Sequence, residues 1–177
     1  MRVVAGTARG VRLDAPPGRA VRPTSDRVKE AAFNALTSME MLRDAVVVDL
    51  FAGSGGLGIE ALSRGAARAT FVDDAAASLD AVRANLVRTG LEERARIVRS
   101  DALRWLAGDT GPAPDLALLD PPYDFERWDE LLELVRARVL LIESGRSVAV
   151  PERYALLRER RYGTTVVLIA EFEERRS

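Results

Sequence analysis

Four aspartates in this chain sit at or just beyond the ends of short apolar runs. Asp49 follows Val46 to Val48, Asp73 follows Phe71-Val72, Asp101 comes shortly after Ile97-Val98, and Asp120 follows Leu116 to Leu119. Short β-branched or aliphatic runs stopped by glycine or proline read as buried strands ended by turns. The carboxylates are therefore expected at the carboxyl edge of one sheet, where open α/β folds hold ligands. Asp49 opens into Leu50-Phe51-Ala52-Gly53-Ser54-Gly55-Gly56-Leu57-Gly58. Leu57, Ile59, Ala61 and Leu62 then begin a helical pattern, so that helix's first amides point back at the loop. Gly53, Gly55 and Gly58 satisfy G-x-G-x-x-G, with Asp73 twenty residues past the first, and on that basis alone a dinucleotide fits as well as anything. Two features turn the reading toward S-adenosylmethionine: the extra Phe51-Ala52 before the glycines, and Asp49, which would repel a pyrophosphate and attract an ammonium. Asp73 could clasp a ribose diol, and Asp101, with Ala102 beside it, could accept from an adenine amino group. A Walker loop is excluded because Ile59, not lysine, follows Gly58.

Asp120-Pro121-Pro122-Tyr123 carries the reacting chemistry. An exocyclic amino group is a poor nucleophile because its lone pair is delocalised into the ring. Hydrogen bonds from that group to the Asp120 carboxylate and the Pro121 carbonyl would hold the nitrogen tetrahedral and stabilise the charge that develops there. Pro122 fixes φ and removes a competing N–H. Tyr123 offers a flat face for stacking a base, which in a duplex would first have to be flipped out.

Composition narrows the alternatives. The chain has no cysteine and no histidine, which excludes disulfides, thiolate nucleophiles, Ser-His-Asp hydrolysis and Cys- or His-ligated metal, and no metal is expected. At 177 residues, with 47% apolar and 30% charged, it can bury one α/β core. No apolar run reaches a membrane span and no signal-peptide core is visible, so a cytoplasmic protein is expected. The net charge of -1 hides an asymmetry: residues 1–29 hold seven basic groups against two acidic ones, while the remainder holds 19 against 25. A basic arm on an acidic body points to nucleic acid, simple solvation being the alternative. Arg9, Arg12, Arg22, Arg27 and Lys29 are the candidate nucleic-acid contacts, which the resemblance described below would make RNA contacts.

The elements that must position these groups follow from periodicity. Residues 2–5 and 11–13 read as a hairpin, and Val28, Ala31, Ala32, Ala35, Leu36 and Met39 recur at helical spacing behind the start residues 22–26. Strands are expected at 46–50, 69–73, 96–99, 115–120 and 147–150, and helices at 57–64, 76–89, 102–107 and 127–137. Residues 154–161 and 164–172 form a closing antiparallel hairpin around Tyr162-Gly163. The fold class expected is α/β, a Rossmann-like class I methyltransferase with a mostly parallel sheet and that hairpin at its edge. An N-terminal hairpin and helix extension (1–40) precedes the methyltransferase domain (41–177).

The run from Asp49 to Ala66, the Asp120-Pro121-Pro122-Tyr123 turn, Ala5-Gly6 with Arg9-Gly10, and Arg22 to Asn34 together resemble the RsmD family of small-subunit ribosomal RNA guanine-N2 methyltransferases. The resemblance covers nearly the whole chain. It implies methyl transfer from S-adenosylmethionine to the N2 amino group of one guanine in 16S rRNA, within a partly assembled small subunit, by a monomer. The family's acidic residue after the second strand is commonly Glu; here Asp73 and Asp74 stand side by side, and either could hold the ribose. The rival readings are a DNA adenine-N6 methyltransferase, a non-catalytic rRNA-binding assembly factor and a nucleotide-dependent oxidoreductase, the last of which leaves Asp120-Pro121-Pro122-Tyr123 unexplained.

Overall fold

The computed structural model describes residues 1–16 and 26–173. The core is a seven-stranded sheet of order β3-β2-β1-β4-β5-β7-β6. Its strands are β1 (Val46–Leu50), β2 (Arg68–Asp73), β3 (Ala95–Arg99), β4 (Leu116–Leu119), β5 (Val139–Ser144), β6 (Tyr154–Tyr162) and β7 (Thr165–Phe172). The first five are parallel; β7 runs antiparallel to β5 and pairs with β6 as the edge hairpin. The helices are α1 (Asp26–Ser38), α2 (Gly56–Ser63), α3 (Ala76–Thr89), α4 (Ala102–Gly108) and α5 (Trp128–Leu134), with a 3-10 turn at Glu92–Arg94. Side chains alternate across the sheet into two cores. Val47, Leu116, Leu118 and Leu141 pack with α1, α2 and α3; Val48, Leu50, Leu119 and Ile142 pack with α4 and α5. Because both faces are covered, the parallel strands read as continuous apolar runs rather than alternating ones. Among the described residues no helix is long and apolar enough to cross a membrane.

The first four core strands, the first four βα helices and the edge hairpin fall within a few residues of their expected places. The fifth strand does not. Residues 147–150 join no ladder, and β5 is Val139–Ser144, paired Leu116 to Val139 and Leu119 to Ile142. Correspondingly α5 stops at Leu134, three residues before the expected end. Between Leu131 and Ile142 no glycine or proline separates helix from strand, and a short apolar run fits either. The terminator is tertiary. The Arg153 guanidinium donates to the Leu132 and Glu133 carbonyls at the end of α5, and the Tyr154 hydroxyl donates to the Ala137 carbonyl (2.8 Å).

The N-terminal hairpin is present as a reversal but not as two strands. One antiparallel bridge joins Arg2 and Arg12, with the Val3 amide donating to the Val11 carbonyl at 2.9 Å. The amides of Val4 and Ala5 instead donate to the Glu60 carboxylate in α2, at 2.8 and 3.1 Å. Gly6 takes φ +84°, and a Cβ there would lie 1.9 Å from the Ser63 carbonyl oxygen, so only glycine lets the turn lie on α2. Lys29, the chain's one lysine, is 1% exposed. Its Nζ lies 3.5 Å from Glu60 Oε2 and donates to the Arg2 carbonyl at 2.6 Å, while Arg64 holds Glu60 Oε1 at 2.7 Å. Burial pulls the Lys29 ammonium below its ordinary pKa, against the opposing charge of Glu60. Lys29 is thus a structural cation, not the RNA contact expected of it; a position on a helix does not reveal which face another element covers.

Removing one member of a buried ion pair strands the other. Lys29→Ala is expected to lower the unfolding free energy in urea by about 3 kcal/mol, whereas exposed Arg27→Ala should change it by less than about 0.5 kcal/mol. Equal effects would show that Lys29 is not buried as described.

Candidate active site

The site is set by strand register. Leu50 pairs with Leu119, and Leu119 with Ile142. One residue further on, Phe51, Asp120 and Glu143 stand in a row along the carboxyl edge, at the point where the chain order reverses about β1. This is the crevice in which open α/β sheets take ligands.

The glycine loop is stapled to β2. The Ala52 amide donates to the Val72 carbonyl (3.0 Å), and the Gly53 amide to Asp73 Oδ2 (2.9 Å). Asp73 Oδ1 accepts from the Ala75 amide at 2.9 Å. Asp73 is buried and already ties loop to strand; Asp74 is exposed. Gly55 takes φ +79° as the N-cap of α2. A Cβ on Gly53 would meet nothing closer than 3.9 Å, so the loop's outer side is open. Phe51 is held at φ +65°, a conformation costly for a non-glycine residue. Its ring packs edge-on against Phe125 (5.2 Å), which packs likewise against Trp128 (5.5 Å). This aromatic chain ties the glycine loop to the turn after β4.

Asp49 has a different task from the one its position suggests. It is 1% exposed, lies beneath the loop, and Oδ2 accepts the Gly58 amide at 2.8 Å. Burial chiefly, with Asp73 adding to it against the Gly58 hydrogen bond, raises its pKa to about 8. Asp49 braces the loop from beneath through the Gly58 amide. Asp101 caps α4 through the Arg104 amide (2.9 Å), and Ala102 is buried as that helix's first residue.

A cavity of about 200 Å³ is lined by residues 120–123 and 143–146 and by Trp128. The Asp120 carboxyl is raised well above the usual carboxylate range, first by burial and then by the charges of Glu143 and Asp49. Pro122 accepts the Phe125 amide at 2.9 Å, closing the turn. The Tyr123 ring is 60% exposed and its hydroxyl is 3.2 Å from Thr165 Oγ1. A Cβ on Gly145 would come within 2.6 Å of that ring, so Gly145 lets it lie flat against the wall. Glu143, Ser144 and Arg146 escaped the sequence reading because the strand that delivers them was placed too late. The signal was present as Val139 to Ile142, a continuous apolar run followed by a carboxylate, like the other strands.

Arg9, Arg12 and Arg27 are exposed, while Arg22 lies outside the described residues. The Arg12 carbonyl accepts from Arg88 (3.1 Å), and the same Arg88 pairs with Asp14 at 2.6 Å, fastening the hairpin to α3.

Sheet order, reversed last strand, glycine loop and Asp-Pro-Pro-Tyr turn together define a Rossmann-like class I methyltransferase. A family model described as Conserved hypothetical protein 95 matches residues 1–171. Ribosomal RNA small subunit methyltransferase D of Haemophilus influenzae is 33% identical over 179 residues, spanning 92% of this chain and 89% of that one. The Escherichia coli protein of the same name is 40% identical over 136 residues, 76% of this chain and 66% of its own length. The solved structure of yhhF from Escherichia coli superposes with a TM-score of 0.86 at 34% identity, covering 99% of each chain. The chain belongs to the RsmD family of methyltransferases.

Asp49 makes stability depend on pH. Its folded pKa lies above its unfolded value, so the folded state binds more protons between about pH 4 and 8, and stability falls as pH rises through that window. Asp49→Asn cannot titrate and can still accept the Gly58 amide. Relative to wild type it should gain on the order of 1 kcal/mol per pH unit between pH 5 and 8 in urea unfolding. Parallel pH curves for the two proteins would show that Asp49 ionises normally.

Proposed function

We propose that the protein transfers a methyl group from S-adenosylmethionine to the N2 amino group of a guanine in 16S rRNA, acting on a partly assembled small subunit. The observation that carries this reading is the cavity lined by half-buried Asp120, Pro121 and the exposed Tyr123 at the carboxyl edge of the sheet. The names of the relatives support an rRNA substrate.

The residues present fit a cationic cofactor. Carboxyls gather at this edge at Asp49, Asp73 and Asp120, with burial raising the Asp49 and Asp120 carboxyls above the usual range, a setting that disfavours a pyrophosphate. The loop 51–55 would hold the amino-acid portion, Asp73 the ribose diol, and Asp101 with Ala102 the adenine. When bound, S-adenosylmethionine supplies a methyl group made electrophilic by its sulfonium. The chain's own contribution is to position and stabilise. Asp120 and the Pro121 carbonyl accept the two amino hydrogens, turning the nitrogen lone pair out of the ring's π system. Asp120, driven to ionise by the charge it faces, stabilises the positive nitrogen, and Tyr123 stacks the base. Exposed Arg9, Arg12 and Arg27 hold RNA phosphates.

Incubation with labelled S-adenosylmethionine and undermethylated small-subunit particles, naked rRNA or duplex DNA, followed by nucleoside analysis, tests the substrate. N2-methylguanosine from the particles is expected; label in N6-methyladenine of DNA would refute it. Asp120→Ala should lower kcat by at least about 100-fold, the scale of a lost transition-state electrostatic contact, with cofactor affinity kept within a few-fold. An unchanged kcat would sink the assigned role. Combined Arg9→Ala, Arg12→Ala and Arg27→Ala should leave cofactor affinity intact and flatten the salt dependence of RNA binding by about 0.7 to 0.9 per lost phosphate contact; an unchanged slope would remove the arm from the RNA path.

A further inference from the structure

Guanine's Watson–Crick edge carries three hydrogens in a row, one on N1 and two on N2. The turn after β4 offers two acceptors, the Asp120 carboxyl and the Pro121 carbonyl, and these match any exocyclic amino group equally well. A site that chooses guanine needs a third acceptor next to them. The adjoining strand contributes one to the same cavity. Glu143 lines it, on the strand directly hydrogen-bonded to β4. The register that pairs Leu119 with Ile142 sets Glu143 alongside Asp120, with neighbouring strands about 4.8 Å apart. Its charge acts on the Asp120 carboxyl, so the two groups share one small space. The wall that carries it is fixed: β5 is clasped by β4 on one side and β7 on the other, and the Ser144 hydroxyl donates to the Arg146 carbonyl.

Resting on the guanine reading above, we propose that Glu143 is the specificity residue that accepts guanine N1–H and so separates guanine from bases whose N1 is itself an acceptor. Adenine and 2-aminopurine both present a lone pair at N1. Facing a carboxylate, that lone pair sets acceptor against acceptor, and the half-buried carboxylate loses its partner. Asp120, Pro121 and Tyr123 see an amino group and a flat ring in every case; Glu143 sees the difference. This divides the labour between the walls, with the β4 side activating the amino nitrogen and the β5 side selecting the base.

2-Aminopurine isolates the proposed contact, since it keeps the 2-amino group and lacks the N1 hydrogen. Small-subunit particles reconstituted with RNA carrying 2-aminopurine at the methylated position are compared with guanine particles, using labelled S-adenosylmethionine. Wild type should favour guanine by about 10- to 100-fold in kcat/KM, the range of one hydrogen bond to a charged group. Glu143→Gln is close to isosteric and can turn its amide to donate to N1, so its preference should shrink to within about threefold while cofactor affinity stays unchanged. Wild type that uses both bases equally, or a variant that keeps the full preference, overturns the assignment. Glu143→Asp, which retains the charge on a shorter arm, should keep the sign of the preference; loss of preference in this variant to the same extent as in Gln would place the effect in packing instead. If wild type labels no guanine in intact particles, the guanine reading itself falls, an outcome distinct from every ratio above.

Discussion

The site depends on one row of residues. Leu50, Leu119 and Ile142 lie side by side in the parallel sheet, and all three are fully buried against α4 and α5. Burying each contributes roughly 1.5 to 3 kcal/mol. A slip of one residue in any of these strands would exchange the side chains fitted against α1, α2 and α3 for those fitted against α4 and α5. The register is therefore strongly specified, and with it the next residue on each strand. Phe51, Asp120 and Glu143 inherit their positions from the burial of three aliphatic side chains that take no part in the chemistry. The aromatic chain Phe51, Phe125, Trp128 then links the glycine loop to the turn after β4, and offsets the cost of the positive φ at Phe51.

The second constraint is electrostatic. The fold draws Asp49, Asp73, Asp120 and Glu143 to the same edge. Burial raises the pKa of the Asp49 carboxyl to about 8 and holds the Asp120 carboxyl well above the usual carboxylate range. Asp49 in particular acts through the loop it supports, by way of the Gly58 amide.

The N-terminal segment is bound into the body by polar contacts rather than by a sheet. Glu60 collects the amides of Val4 and Ala5, the Lys29 ammonium and the Arg64 guanidinium. Ser63 accepts the Ala8 amide and donates to the Ala5 carbonyl, and Asn85 donates to the Asp14 and Ser54 carbonyls. Asn85 thereby joins the hairpin to the glycine loop itself. Arg9 and Arg12 are thus displayed on a segment anchored at α2 and α3.

What the chain determined locally was legible. Strand and helix alternation, the glycine turn and the Asp-Pro-Pro-Tyr turn rest on periodicity and backbone chemistry within a few residues. So do the helix ends with their own stops, such as Gly90 in the left-handed conformation closing α3. What required tertiary structure was every feature whose cause lies far along the chain. α5 ends where Arg153 reaches its carbonyls, and β5 begins where β4 and β7 await it. Lys29 looks like a surface cation until α2 brings Glu60 to it from 31 residues away. Glu143 looks like an ordinary solvated charge until register sets it beside Asp120. Sequence alone names the groups able to do the chemistry, because residue type and local spacing carry that information. Which groups share a cavity, and which are buried and protonated, is decided by strand pairing and desolvation, and those exist only once the sheet has formed.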